Sequence, residues 1–141
     1  SADFKLGSQI SCGSNIKVTV ASSGEGATLD GQEQTRLFYL TGGCSLTLRG
    51  LTLVNGRAGS GGVVYANGAG DVEIIDSTVR DCSAGEDGGG VVYARESISL
   101  SIAGVDFIDN RAGVSGSVLY LSNTPSSISD APFTGNTAGD D

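Results

Sequence analysis

Gly61-Gly62-Val63-Val64-Tyr65-Ala66 returns 28 residues later as Gly89-Gly90-Val91-Val92-Tyr93-Ala94, and the fold follows from that return. Working outward, the tyrosine recurs at Tyr39, Tyr65, Tyr93 and Tyr120, at spacings of 26, 28 and 27 residues. An apolar block precedes each one: Leu37-Phe38, Val63-Val64, Val91-Val92, Val118-Leu119. A second series, Leu53, Val79, Phe107 and Phe133, steps by 26, 28 and 26. A third, Ala58-Gly59, Ala84-Gly85, Ala112-Gly113 and Ala138-Gly139, steps in the same way. Three markers drifting in unison define a structural repeat of about 27 residues.

Each copy reads as three short strands. The tyrosine block is the first. The second alternates apolar and polar residues: Leu46-Thr47-Leu48, Val72-Glu73-Ile74, Leu100-Ser101-Ile102. The third, after a bend, carries Leu51 and Leu53, Ser77 and Val79, Val105 and Phe107, Ala131 and Phe133. Alternation with period two marks half-buried strands. One copy is too small to bury its own apolar face, so copies must stack, each strand pairing with its equivalent about 4.8 Å away. The fold class predicted is all-β: a right-handed parallel β-helix of about five coils with three short strands per coil. Residues 1–31 read as an amino-terminal cap and a degenerate first coil, with Ile16, Val18, Val20 and Ala27-Thr28-Leu29 as its strands. Residues 32–141 read as four further coils, forming one domain with the first and expected to be a segment of a longer protein. A β-sandwich accommodates the strand count but gives no reason for tyrosine to recur at fixed spacing.

Composition agrees. The 141 residues include 23 glycines, 2 prolines and 38% hydrophobic residues, the profile of a folded, turn-rich all-β domain. Sixteen acidic against 8 basic residues give a net charge of −8, which disfavours nucleic acid. There is no run of 18 apolar residues to span a bilayer as a helix.

The motifs Gly61-Gly62-Val63-Val64 and Gly89-Gly90-Val91-Val92, with Phe107-Ile108-Asp109-Asn110 and Phe133-Thr134-Gly135-Asn136, resemble the G-G-A-I and F-x-x-N repeats of the polymorphic outer membrane proteins. The resemblance spans about residues 27 to 139. Valine stands for alanine in both Gly-Gly motifs, Gly116-Ser117 loses a glycine, and Thr35-Arg36 replaces the pair in the first clear coil. Gly56 and Cys82 occupy the asparagine position in two coils. What the resemblance implies is an extracellular or cell-surface protein, structural or adhesive, with other protein subunits or surface glycans as partners and no enzyme activity. The alternative reading is a carbohydrate-binding or carbohydrate-active β-helix protein, because lyases, hydrolases and epimerases share such folds.

Chemistry has few footholds. The chain contains no histidine, so the commonest general base is missing, and no catalytic residue is assigned. Asn55, Asp81 and Asp109 share a position after the third strand and are the best candidates for a shared cation; as turn residues they also suit local backbone caps. No calcium-loop motif accompanies them, so no cofactor is expected. Arg57 and Arg111 are register-equivalent and expected to pair with Asp81 or Asp109. The strongest binding candidates are Tyr39, Tyr65, Tyr93 and Tyr120, which must all point the same way. Four buried hydroxyls would each need a partner, so the tyrosines are expected outward, as a stripe for sugar stacking or partner packing. Cys12 and Cys44 fall in adjacent coils and form a disulfide candidate. Cys82 reads as a small buried residue, since no histidine is available to activate it.

Overall fold

The computed structural model describes residues 2–24, 26–85, 91–113 and 118–138. The Gly89-Gly90 and Gly116-Ser117 positions and the Gly139-Asp140-Asp141 tail therefore lie outside the described residues. The chain is an all-β solenoid of about five turns. It opens with β1 (Ala2–Lys5) and a first coil of β2 (Ile10–Cys12), β3 (Lys17–Ala21) and β4 (Ala27–Asp30). The second coil is β5 (Phe38–Leu40), β6 (Ser45–Arg49), β7 (Leu51–Val54) and β8 (Arg57–Ala58). The third is β9 (Val64–Asn67), β10 (Asp71–Arg80) and β11 (Ser83–Ala84), and the fourth β12 (Val92–Arg95), β13 (Ser99–Ile108) and β14 (Arg111–Ala112). The fifth is β15 (Leu119–Ser122), β16 (Ser126–Ser129), β17 (Phe133–Thr134) and β18 (Thr137–Ala138). Among the described residues no helix is long and apolar enough to cross a membrane.

Pairing is parallel throughout and follows the repeat: Tyr39, Tyr65, Tyr93 and Tyr120 are register partners, as are Leu53, Val79, Phe107 and Phe133. The expected second strands carry Val18, Leu46, Val72 and Leu100 in one column. In the segment expected to cap the amino terminus, β1 and β2 extend the ladders of β4 and β5, placing Phe4 on Leu29 and Ile10 on Phe38. A fourth ladder, β8-β11-β14-β18, runs through the Ala58 series. Its strands have two residues each, too short for alternation to reveal them in sequence.

Three columns of left-handed residues bend each coil. Gly50, Asp76, Gly104 and Asp130 (φ 68, 48, 66 and 49°) separate the second strand from the third. Asn55, Asp81, Asp109 and Gly135 (φ 55, 55, 52 and 66°) follow the third strand. Gly68, Glu96 and Asn123 (φ 66, 49 and 46°) follow the first. Gly, Asn and Asp are the residues that enter this region most readily, so the sequence places them at the corners. The first glycine of the Gly-Gly motif has a different reason: Gly61 (φ 64°) lies so close to Val64 and Tyr65 that a Cβ would strike their backbone. Gly62 faces the Ser83 carbonyl of the next coil just as closely.

Inside, Phe38, Leu40, Leu46, Leu48, Leu53, Val64, Ile74, Val79, Leu100, Ile102 and Phe107 are at most 1% exposed. Among the described residues, buried polar side chains stand at corners, where they satisfy backbone groups of the neighbouring coil. Asn110 Oδ1 accepts the Cys82 N–H (3.0 Å) and Nδ2 donates to the Val79 carbonyl (2.9 Å). Asn136 repeats this one coil on, accepting from Asn110 N–H (2.9 Å) and donating to Phe107 O (2.8 Å). In the coil before, Cys82 takes the same place: its thiol lies 3.6 Å from Leu53 O, and its sulfur accepts from Gly56 N–H at 3.4 Å. Thus the asparagine column continues through a cysteine. Ser77 and Ser97 act likewise at the other corners, accepting from Leu51 N–H and Ala69 N–H, each at 3.2 Å. Because buried backbone donors without partners are costly, these side chains help to fix the register between coils.

Candidate functional site: the tyrosine ladder

The first strands decide which way the tyrosines point. Within β5, β9 and β12 the tyrosine is half-buried between two buried neighbours, Phe38 and Leu40, Val64 and Ala66, Val92 and Ala94. Side chains alternate across a strand, so Tyr39, Tyr65 and Tyr93 face outward, and Tyr120 continues their column. Leu37, Val63 and Val91 share the tyrosines' parity yet are 0% exposed. They precede the strands, where the chain is still rounding the corner, and this is why the flanking sequence is apolar on both parities.

The four rings stack in one file. Centroid distances are 5.1 Å between Tyr39 and Tyr65, 4.9 Å between Tyr65 and Tyr93, and 4.8 Å between Tyr93 and Tyr120. Planes differ by 3, 0 and 4°. The β ladder itself imposes the spacing, and parallel aromatic pairs at such distances add about 0.5–1.5 kcal/mol each beyond burial. One consequence differs from the sequence expectation. Stacking a sugar on an aromatic needs a free ring face, and Tyr65 and Tyr93 give their faces to one another and to the outer rings. A partner meets ring edges and hydroxyls instead.

Arg36 flanks the ladder. Its guanidinium carbon is 5.4 Å from the Tyr39 centroid and 5.0 Å from that of Tyr65, within cation–π range. Nη1 donates to Gln9 Oε1 (3.2 Å) and Nη2 to the Ser60 carbonyl (2.9 Å), whereas the buried Nε has no hydrogen-bond partner. Burial pushes the guanidinium below its ordinary value, and Tyr39 and Tyr65 oppose that shift; an arginine so placed stays charged. Farther along, Arg95 is exposed and held above its ordinary value, first by a hydrogen bond with Tyr93 and then by Glu96, whose Oε1 is 3.4 Å from Arg95 Nε. The sequence signal for Arg36 was its place: it stands where the next coils have Gly62 and Gly90.

Asn55, Asp81 and Asp109 do share one column, at the left-handed corner. Asn55 Nδ2 donates to Asp30 Oδ1 (3.0 Å), and that bond, followed by one from Gln32 N–H, holds the Asp30 carboxyl below its ordinary value. Asp81 pairs with its neighbour Arg80 at 2.7 Å. Beside this column lies a groove of about 780 Å³ lined by Glu33, Arg57, Asp81, Ser83, Asp109 and Arg111 among others. Among the described residues no three His, Cys, Asp or Glu side chains are grouped to hold a metal ion.

The cysteines divide into two kinds. Cys12 and Cys44 are joined as a disulfide with Cα atoms 6.0 Å apart; Cys12 ends β2, and Cys44 lies buried in the turn before β6. Cys82 is 1% exposed, and burial pushes its thiol up to about 12, which leaves it little thiolate for chemistry at neutral pH.

The chain matches no protein-family model, no curated protein and no solved structure, so its own geometry carries the functional reading.

Proposed function

We propose that the chain is a structural or adhesive module of the cell surface or extracellular space, making contacts with other protein subunits or surface glycans without catalysis of its own. The observation that carries this reading is the outward tyrosine ladder: four aromatic rings held at fixed spacing on a rigid sheet, partly exposed and flanked by Arg36 and Arg95. Tyrosine and arginine are the side chains that concentrate binding energy at protein surfaces, and a rigid row loses little entropy when it is covered. The Cys12–Cys44 disulfide supports an oxidising location. So does the resemblance of the repeat motifs to those of surface proteins. The acidic corner residues suit turn geometry, which supports a structural role for them.

Light scattering of the isolated chain and its binding to an array of immobilised glycans test the proposal. Wild type is expected to self-associate or bind, and Tyr65→Ser/Tyr93→Ser to lose that at least about tenfold, a loss of 1.4 kcal/mol or more, with an unchanged circular-dichroism spectrum. A monomer that binds nothing on the array overturns it. A second reading, a carbohydrate-active protein, draws on the Arg57, Asp81 and Asp109 groove. Uronate-polysaccharide cleavage that disappears in Asp81→Ala and Asp109→Ala would favour it over the first.

A further inference from the structure

We propose that the tyrosine ladder is a site of oxidative cross-linking, where phenol rings from two copies of the chain become joined through o,o′-dityrosine bonds. Three features converge on it. The first is the absence of competing targets in the sequence, which has no methionine, tryptophan or histidine. Of its 3 cysteines, Cys12 and Cys44 already form a disulfide, and Cys82 is 1% exposed with its thiol pushed up to about 12. A one-electron oxidant reaching this surface therefore meets phenols before any other easily oxidised side chain.

The second feature is the file of rings. All 4 tyrosines of the chain stand in this one column, half-buried, with centroids 4.8 to 5.1 Å apart. Passing a phenoxyl radical from one rung to the next moves one electron and one proton between chemically equivalent phenols and needs little driving force, so a radical formed at one rung can pass along the column. The exposed rung that meets another molecule then reacts, whichever was oxidised first.

The third feature selects the partner. A dityrosine bond joins carbons ortho to the two hydroxyls and lies in the plane of both rings. Adjacent rungs instead face one another with planes 0 to 4° apart, and their backbones are pinned in register by β5, β9, β12 and β15. Turning two such rings edge to edge would break the stack and strain the ladder. The outward edges carry no such restraint, so the coupling ring comes from a second copy.

The step balances with an oxidant of the haem-peroxidase class using hydrogen peroxide. Each of two tyrosines loses one electron and the hydroxyl proton. The two phenoxyl radicals form one carbon–carbon bond, and each ortho hydrogen moves to its own phenol oxygen. One peroxide becomes two waters. None of this depends on the chain being adhesive, and covalent coupling is measured separately from reversible binding.

The test uses the folded protein as an equal mixture of unlabelled and ¹⁵N-labelled chains, treated with a haem peroxidase and hydrogen peroxide. Expected are dimers and larger species that survive reduction, dityrosine fluorescence, and cross-linked peptides in which one half is labelled and the other is not. Tyr39→Phe/Tyr65→Phe/Tyr93→Phe/Tyr120→Phe keeps the rings and removes the phenols, and should abolish the cross-linked species. Cross-linked peptides labelled on both halves or on neither, without mixed ones, would show rung-to-rung coupling within a chain and overturn the proposal. So would oxidised monomer lacking dityrosine. The isotope pattern is read on wild type and so decides the matter even if the fourfold variant folds poorly.

Discussion

Phe107 and Phe133 stand on neighbouring rungs of one ladder, their rings 4.8 Å apart, yet the first is 0% exposed and the second 48%. Ile102 and Ile128 differ in the same way, at 1% and 44%. The residue types and the strand positions are the same; only the number of flanking coils within the chain differs. Burial in this protein is thus supplied by the next coil rather than by the fold of any one coil, and stability approximates a sum over coils and the interfaces between them.

That contrast can be broken most directly at its two ends. Phe107→Ala should cost about 3–5 kcal/mol in urea denaturation, the usual loss for a fully enclosed phenylalanine. Phe133→Ala, already half in water, should cost about 1 kcal/mol. Equal losses would mean that the fifth coil is as tightly enclosed as the fourth. Another substitution sharpens the role of the corners. Asn110→Ala leaves Cys82 N–H without its acceptor and the Val79 carbonyl without its donor, for about 2–6 kcal/mol at about 1–3 per stranded group. Hydrogen exchange should show the Cys82 amide losing its protection before the strands do.

The smallest effect lies at the exposed edge of the same corner. The Asn55 side chain, and then Gln32 N–H, lower the Asp30 carboxyl from its ordinary 3.8. A carboxyl with a depressed folded-state value stabilises the fold above its unfolded value and loses that contribution as pH falls through the folded value. The pair should therefore be silent from neutrality down to about pH 5 and weaken the protein only below about pH 4. Because Asp30 is largely solvated, the amount is a few tenths of a kcal/mol at about the scale of exposed pairs. Denaturation midpoints of Asn55→Gly, which keeps the left-handed corner (φ 55°) and removes the donor, compared at pH 7 and pH 3, should show a larger deficit at the higher pH.

Most of this architecture was legible in the sequence because the period was. Once Tyr39, Tyr65, Tyr93 and Tyr120 fix the coil, the alternation around Leu46, Val72 and Leu100 gives the second strands and their inward face. The β8 ladder was visible as the Ala58 series but not as strands, since two residues carry no alternation. The direction of the tyrosines followed from the demands of their hydroxyls, although Leu37, Val63 and Val91 obscured it by being buried at corners. Two further details needed three dimensions. Nothing in the spacing said that the rings would close their faces on one another, and Arg36 showed only as a departure from Gly-Gly. The cysteine column was half legible: Cys82 stood at an asparagine position, but its contacts with Leu53 and Gly56 arise only when coils stack.

The corner side chains have one more consequence, for length. Asn136 reaches back to Phe107, Asn110 to Val79 and Cys82 to Leu53, so each coil completes its predecessor and presents the same need to its successor. Such a unit can be duplicated or excised whole. Adding or removing a unit of about 27 residues changes the rod by one graduation of about 4.8 Å, while every displayed side chain stays in its column. The molecule is in that sense a ruler whose divisions are written in its corners.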